Sequence, residues 1–397
     1  MIDSVLIITI PPLTGGVPDK AKILCHHLRK LGYQVTVSHY ATYTDYPNLV
    51  VTLWQLLRGK QPKISYGKCF DDLNCISVGC RLPELEFTYY LPSKAWSTVI
   101  NNYQRHIVVG GTVLTSYFLS YLGLPHLVWC ASTMMEDRLE RQRSMPLIRK
   151  IVDRFIVCPV QHFMEQKILR GNGHLMAVSS YTRRTLISAG GHPEKISSLP
   201  IPVNLEFFIP PSDAPKPRVI GFAGRGGDPR KNLNLLFLTL KYLNEFNSNF
   251  KLLLTGDVEL TFKPLIERLG ILNKVSWTGW LEDNNLKNFY QKLDIFVIPS
   301  IQEGLNLSGL QAMACAVPVV STRCGGPEDY VINDVTGSLV SFDAKEMASA
   351  ILSITEDREK RIKMGKNARK FVEENYSHKQ FEQTLEKVWY KIWGDKP

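Results

Sequence analysis

Two stretches of this chain, one starting at Val5 and the other at Val219, open with an uninterrupted apolar run, turn through glycines and pass into a helical pattern. In the first, residues 5–10 end in Pro11-Pro12-Leu13-Thr14-Gly15-Gly16. Ala21, Leu24, Leu28 and Leu31 then recur at helical spacing up to Gly32, and residues 35–37 read as a second strand. A strand with one wet face alternates in polarity. A run that is apolar at every position is buried on both faces, as strands are in a parallel sheet covered by helices. Strand, glycine turn, helix and strand in succession therefore predict an α/β fold. Residues 107–109, 127–130 and 175–178 read as further strands of the first half. A proline-rich polar stretch, 209–217, reads as a semi-stiff linker.

The grammar then restarts. Residues 219–223 form a strand and 224–231 a basic turn, and Leu233, Leu236, Leu240 and Leu243 mark one face of a helix. Strands follow at 251–255, 275–278, 295–298 and 318–321. Near the end, Ser377 and Gln380 have the spacing of a capping box. Phe381, Leu385, Val388 and Ile392 then form a stripe that must pack on something. A length of 397 residues suits two domains. The expected division is 1–208, 209–376, and a terminal helix over 377–397.

Hydrophobic content of 44% with 21% charged residues is ordinary for a soluble globular protein. The eight cysteines are scattered with no Cys-x-x-Cys pair, which predicts reduced thiols packed as small hydrophobes and fits a cytosolic protein. The start, Met-Ile-Asp-Ser, lacks a basic signal-peptide region. Residues 107–131 carry no Asp, Glu, Lys or Arg, but Gly110-Gly111 and Gly123-Leu124-Pro125 cut them into pieces too short to cross about 30 Å of hydrocarbon. A buried strand, a helix and another buried strand are expected there. Charge is uneven: residues 1–200 hold 22 Lys+Arg against 13 Asp+Glu, and the remainder 25 against 24. A basic first half suits an acidic partner such as lipid head groups or an anionic acceptor. No nucleic-acid motif accompanies the charge.

Three segments carry chemistry. Residues 299–326 read Pro-Ser-Ile-Gln-Glu-Gly-Leu-Asn-Leu-Ser-Gly-Leu-Gln-Ala-Met-Ala-Cys-Ala-Val-Pro-Val-Val-Ser-Thr-Arg-Cys-Gly-Gly. Glu303 and Gly304 directly precede a helix whose free amides would face an anion. Residues 224–232, Gly-Arg-Gly-Gly-Asp-Pro-Arg-Lys-Asn, place Arg225 after a strand and Lys231 at the start of a helix. Cations there are unfavourable unless an anion joins them, and Arg230 is the neighbour expected to be exposed. Gly15 and Gly16 lack Cβ atoms and let the backbone approach a ligand. Neither Gly-x-Gly-x-x-Gly, a Gly-x-x-x-x-Gly-Lys phosphate loop nor a Gly-x-Ser-x-Gly elbow occurs, which argues against nicotinamide, flavin, nucleoside-triphosphatase and hydrolase readings.

Together these segments resemble the family-4 (group 1) glycosyltransferases of the GT-B fold, densely from Ser179 to Leu339 and thinly between Ala41 and Ile107. The resemblance implies two Rossmann-like domains facing across a cleft, with a C-terminal helix crossing back to the first domain. It implies a glycosyltransferase moving a hexosyl group from a UDP- or GDP-sugar, with retention, to a carbohydrate or lipid-linked acceptor. Arg225 and Lys231 would neutralise the leaving diphosphate, and Glu303 would hold the sugar hydroxyls. Gly15, Gly16, Gly304, Leu305, Asn306 and Leu307 would complete the donor site. Gln311 stands where the family has a second glutamate gripping the ribose, and its capping-box spacing from Ser308 leaves a local role open. No Asp-x-Asp metal motif occurs, so neither a metal nor a cofactor is expected.

Many relatives place a histidine at the end of a first-domain strand. Here the corresponding segment, 127–133, has none, and His126 reads as a turn residue ahead of the strand. Thr133, Glu136 and Asp137 are candidates for the acceptor side. A base is dispensable if the departing phosphate takes the acceptor's proton. The implied location is the cytoplasm or the inner face of an acidic membrane. Two other readings stay open: a catalytically weakened binding or regulatory subunit, and another GT-B enzyme such as a sugar-nucleotide epimerase.

Overall fold

The computed structural model describes residues 4–138, 145–212, 218–246, 249–256, 259–395 and 397. The chain divides into two compact units, Met1–Leu199 with Thr384–Pro397, and Pro200–Gln383.

The first unit is built on an eight-stranded sheet: β1 (Ser4–Thr9), β2 (Gln34–Tyr40), β3 (Ile64–Cys69), β4 (Leu73–Val78), β5 (Arg105–Val109), β6 (His126–Cys130), β7 (Gly173–Ala177) and β8 (Ile196–Ser198). Their order is β3-β4-β2-β1-β5-β6-β7-β8, parallel except for the β3–β4 hairpin. The continuous apolar runs lie at its centre: Val5 to Ile8 and Leu127 to Cys130 have no exposed surface. The uncharged stretch 107–131 is β5, a short helix (Tyr117–Tyr121) and β6, as its glycine breaks predict. No described helix is long and apolar enough to cross a membrane.

Sequence reading missed the β3–β4 hairpin. β3 is an edge strand with exposed Ser65, Tyr66, Gly67 and Lys68. A solvated edge lacks the apolar run that identifies central strands. The hairpin turns through Phe70, Asp71 and Asp72, all with positive φ.

His126 corrects another expectation. It is the first residue of β6 and fully buried. Its Nδ1 lies 2.7 Å from the Leu124 carbonyl and so carries the proton, and Nε2 lies 3.3 Å from Ser120 Oγ. Burial pulls its pKa from 6.5 down to about 4. As the pH falls below about 6.5, the unfolded chain takes up a proton that folded His126 refuses until about 4, so stability is lost across that window. At pH 5 the loss from this one group is ~2 kcal/mol relative to pH 7. Thermal unfolding at the two pH values should show the drop, and it should shrink in His126→Gln. An unchanged drop would refute the assignment.

The second unit carries a wholly parallel sheet: β9 (Val219–Phe222), β10 (Lys251–Leu254), β11 (Val275–Trp277), β12 (Ile295–Ile298), β13 (Val319–Thr322) and β14 (Gly337–Val340). The order is β11-β10-β9-β12-β13-β14. This is the doubly wound arrangement in which the chain reverses direction beside the first strand, here between β9 and β12. Helix Leu233–Glu245 buries Leu233, Leu236, Leu240 and Leu243, the face marked by its spacing.

The terminal helix, His378–Trp393, starts where Ser377 Oγ accepts from Gln380 N at 3.4 Å. From Thr384 on it belongs to the first unit. There Trp389 is fully buried beside Tyr33, with ring centroids 5.2 Å apart.

Candidate functional site

Loops leaving the carboxyl ends of β9 and β12 meet because those strands are neighbours at the reversal point, where doubly wound sheets bind ligands. Two contacts join the loops: Ile301 N donates to the Arg230 carbonyl at 2.7 Å, and Lys231 Nζ lies 2.7 Å from Glu303 Oε1. Lys231 and Glu303 are thus brought together across 72 positions of sequence.

Glu303 is held firmly. Its amide donates to the Cys324 carbonyl at 2.7 Å, and its carbonyl accepts from Gly326 N at 2.8 Å. Ser300 Oγ, Asn306 Nδ2 and Lys231 Nζ all converge on Oε1, at 2.6, 2.9 and 2.7 Å. Oε2 takes no hydrogen bond among the described residues. One oxygen is therefore spent on positioning while the other can still accept from a hydroxyl group.

The helix Leu307–Ala314 begins at Asn306, whose backbone is left-handed (φ 66°) and whose Oδ1 accepts from Gly309 N at 2.9 Å. The Asn306 side chain is thus a brace between Glu303 and the helix start. The amides of Leu305, Asn306 and Leu307 find no acceptor among the described residues, which leaves three N–H groups beside a helix start for an anion. Gly304 lies in the same turn, packed against Gly326. A Cβ on Gly326 would come within 2.4 Å of the Gly304 carbonyl, so only glycine fits there.

Three parts of the sequence reading change. Lys231 does not start the helix: it ends a short turn, Pro229–Lys231, and left-handed Asn232 caps the helix that follows. Arg230 is not exposed. Its Nε and Nη2 bind the two oxygens of Asp228 at 3.1 and 2.8 Å, which leaves Lys231 as the inward cation of the turn. Ser308 does not cap the helix that contains Gln311. Instead Gln311 Oε1 accepts from the Tyr290 hydroxyl at 3.0 Å. The Arg225 side chain is exposed and makes no hydrogen bond or ion pair among the described residues, while its carbonyl accepts from Asp228 N at 3.0 Å.

Sequence reasoning missed the supports. Ser300 lies three residues before Glu303 within the segment 299–326, and that spacing is a signal for it. Tyr290 and Tyr330 had no local signal. The Tyr330 hydroxyl donates to the Asn306 carbonyl at 3.0 Å, and burial lifts its pKa well above the usual tyrosine value, keeping it a donor.

In the first unit, Gly15 adopts φ 95° as the cap of helix Gly16–Lys30, a conformation that favours glycine. A Cβ on Gly16 would meet nothing within 4 Å, so packing alone does not explain that glycine. Lys20, from the same helix, is buried and donates to the Gly110 carbonyl at 3.1 Å, tying that helix to the loop after β5. Thr133 and Glu136 pair with each other: Thr133 N and Oγ1 donate to Glu136 Oε2 at 2.9 and 3.0 Å, capping the helix over 134–138. Glu136 Oε1 is buried without a partner among the described residues, and Asp137 N donates to the Thr133 carbonyl at 3.2 Å.

The segment containing the Lys231–Glu303 pair has known relatives. Residues 206–371 match the family model of the glycosyl transferases group 1. The matched segment holds the basic turn, the Glu303 loop and Gln311. The chain is 27% identical over 219 residues to a GDP-mannose-dependent alpha-(1-6)-phosphatidylinositol monomannoside mannosyltransferase of Mycolicibacterium smegmatis, covering 50% of this chain and 57% of that one. It spans less than half the length of the curated relatives it matches first, between 35% and 44%.

Among solved structures, it superposes on a sucrose-phosphate synthase from Thermosynechococcus elongatus with TM-score 0.74, at 19% identity and 99% coverage of both chains. The Anabaena protein HepE in complex with UDP and glucose gives TM-score 0.72 at 17% identity, covering 98% of this chain and 100% of that one. The two α/β units therefore have the GT-B fold.

Proposed function

We propose that this chain is a glycosyltransferase that moves a hexosyl group from a UDP- or GDP-sugar to a carbohydrate or lipid-linked acceptor. The observation that carries the reading is the Glu303 carboxylate, with Oε1 saturated by Lys231, Ser300 and Asn306, and, among the described residues, Oε2 open beside three amides without an acceptor. A carboxylate fixed in this way suits a sugar diol, and a lysine with open amides suits a diphosphate. The names of the relatives support the donor class: the mycobacterial protein is GDP-mannose-dependent, and HepE was solved with UDP and glucose.

In the proposed reaction the bond between the anomeric carbon and the diphosphate oxygen breaks, and a bond from that carbon to the acceptor oxygen forms on the same face. The acceptor's proton passes to the departing phosphate oxygen. Lys231, Arg225 and the amides of Leu305, Asn306 and Leu307 meet the charge that develops there. Two protein cations and a sequence without Asp-x-Asp support metal-independent transfer. The acceptor is assigned to the first unit, with Gly15, Gly16, Thr133, Glu136 and Asp137 as candidates. The basic balance of residues 1–200 supports an anionic acceptor and work in the cytoplasm at a membrane surface.

Thermal unfolding against a panel of UDP- and GDP-sugars tests the reading, because a ligand of the native state raises the melting temperature by mass action. At least one sugar nucleotide should raise it and be slowly hydrolysed or transferred. No shift across the panel would sink the proposal.

One observation favours a weakened enzyme. Gln311 offers an amide in place of a charged group, and its oxygen is already engaged by Tyr290. In Gln311→Glu one carboxylate oxygen keeps the Tyr290 bond and the other is free for the ribose. Replacing a neutral bond by a charged one is worth about 1–2 kcal/mol. Titration calorimetry should therefore show donor binding roughly tenfold tighter. Unchanged or weaker binding would remove Gln311 from the ribose site.

A further inference from the structure

We infer that the helical surface over residues 147–163 is the face by which this chain docks on an anionic lipid bilayer. The helix Leu147–Val152 runs through a wider turn, Asp153–Val157, into the helix Cys158–Leu169. Asp153, Val157, Gln161 and Met164 are buried against the first unit. The opposite side carries Leu147, Ile148, Ile151, Phe155, Ile156 and Phe163. Leu147, Ile148 and Phe155 are each at least 70% exposed, and Phe163 is 62% exposed. Leu147, Ile151 and Phe155 recur at i, i+4 and i+8, so they form one continuous stripe. Soluble surfaces rarely present so many large apolar side chains in a row without a partner.

Charge selects the partner. Arg149, Lys150 and Arg154 are exposed among these apolar residues. Lys150 also engages another group of the protein, so the argument rests on the two arginines. The one carboxylate between Met145 and Phe163 is Asp153, which is buried and ion-paired with Arg138. Within residues 145–163 the face therefore offers apolar surface and positive charge with no exposed acid. A helix with a cationic flank and an apolar stripe lies in the plane of an anionic membrane interface. A second copy of the chain fits poorly, since it would set the same arginines against each other. The stripe from 147 to 155 is about 13 Å long at 1.5 Å per residue, enough to lie on a bilayer and too short to span one.

The inference rests on the proposed reaction only for the purpose of docking, and its test needs neither donor nor acceptor. The full chain is floated with vesicles of phosphatidylcholine alone and with vesicles containing about one-third phosphatidylglycerol. The protein should rise with the anionic vesicles, stay behind with the neutral ones, and detach as salt is raised. The double variant Ile151→Glu with Phe155→Glu should bind at least tenfold more weakly. Arg149→Gln with Arg154→Gln should weaken binding and flatten its salt dependence. All four positions are exposed, and unfolding curves of each variant should overlay the parent's. If the glutamate variant fails to fold, the glutamine variant decides. Absence of flotation at low salt would overturn the inference, as would binding undiminished in a folded variant, which would place the contact elsewhere. Dimers that both variants dissociate, without flotation of the parent, would assign the face to self-association. A chain that floats but binds no nucleotide would leave this inference standing and sink the proposed reaction.

Discussion

Replacing Lys231 by alanine is expected to lower kcat/KM for sugar transfer about 10²- to 10³-fold, the loss seen when one pre-positioned electrostatic partner of a developing charge is removed. Lys231 is the inward cation of its turn, because Arg230 is bound to Asp228 and Arg225 is exposed. Its ammonium lies 2.7 Å from Glu303, so the substitution acts twice. In the proposed reaction it would remove charge where the diphosphate departs, and it leaves Glu303 Oε1 with the neutral donors Ser300 and Asn306. Steady-state kinetics separate these effects. Loss of leaving-group stabilisation lowers kcat, whereas loss of ground-state donor binding raises KM. The cycle of Lys231→Ala, Glu303→Gln and the double variant should be strongly non-additive, since the two groups act as one unit. Rates unchanged in Lys231→Ala, in a protein that still folds, would refute the site.

Replacing Trp389 by alanine should destabilise the first unit by about 3–5 kcal/mol, the usual cost of deleting a fully buried large aromatic side chain. Its ring lies 5.2 Å from Tyr33 and 4.4 Å from Trp393, and the Arg105 guanidinium sits 5.5 Å from its centroid. Its Nε1 donates to Asp395 at 3.1 Å, and Asp395 is ion-paired with Arg105. Alanine would open a cavity and leave the arginine without one of its stacking faces. For a unit of this size the melting temperature should fall by roughly 6–20 °C. Trp389→Phe should recover part of the loss, because the ring returns without the indole hydrogen bond. Calorimetry showing a shift within about one degree would mean that the terminal helix contributes nothing to the unit.

These two predictions draw on different kinds of information. The stripe Phe381, Leu385, Val388 and Ile392 announced a packed terminal helix from spacing alone, but its partners Tyr33 and Arg105 lie hundreds of residues earlier. Ser300 and Glu303, three apart, were readable as one motif. Tyr290 holding Gln311 and Tyr330 holding Asn306 were not, because each pair is 21 to 24 positions apart and joined only through the sheet. The basic turn stood out in the sequence, which pointed to Arg225 and Lys231 and left Arg230 to solvent, whereas in the fold Lys231 turns inward and Arg225 is the exposed one. That depended on Asp228 capturing Arg230.

By itself the sequence located the central strands β1, β5, β6, β9 and β12 and the amphipathic helices, since burial on two faces or one leaves a period that survives in the linear order, but it did not show β4, β8 or β14. It also determined that Glu303 and a basic turn stand at loop ends after such strands. The tertiary structure decided that β9 and β12 are neighbours, and hence that Lys231 meets Glu303 across 72 residues. It also decided that Oε1 is saturated while Oε2 stays open among the described residues. Hydrophobic pattern is a property of each segment, whereas strand order and hydrogen-bond saturation are properties of pairs that only folding brings within reach.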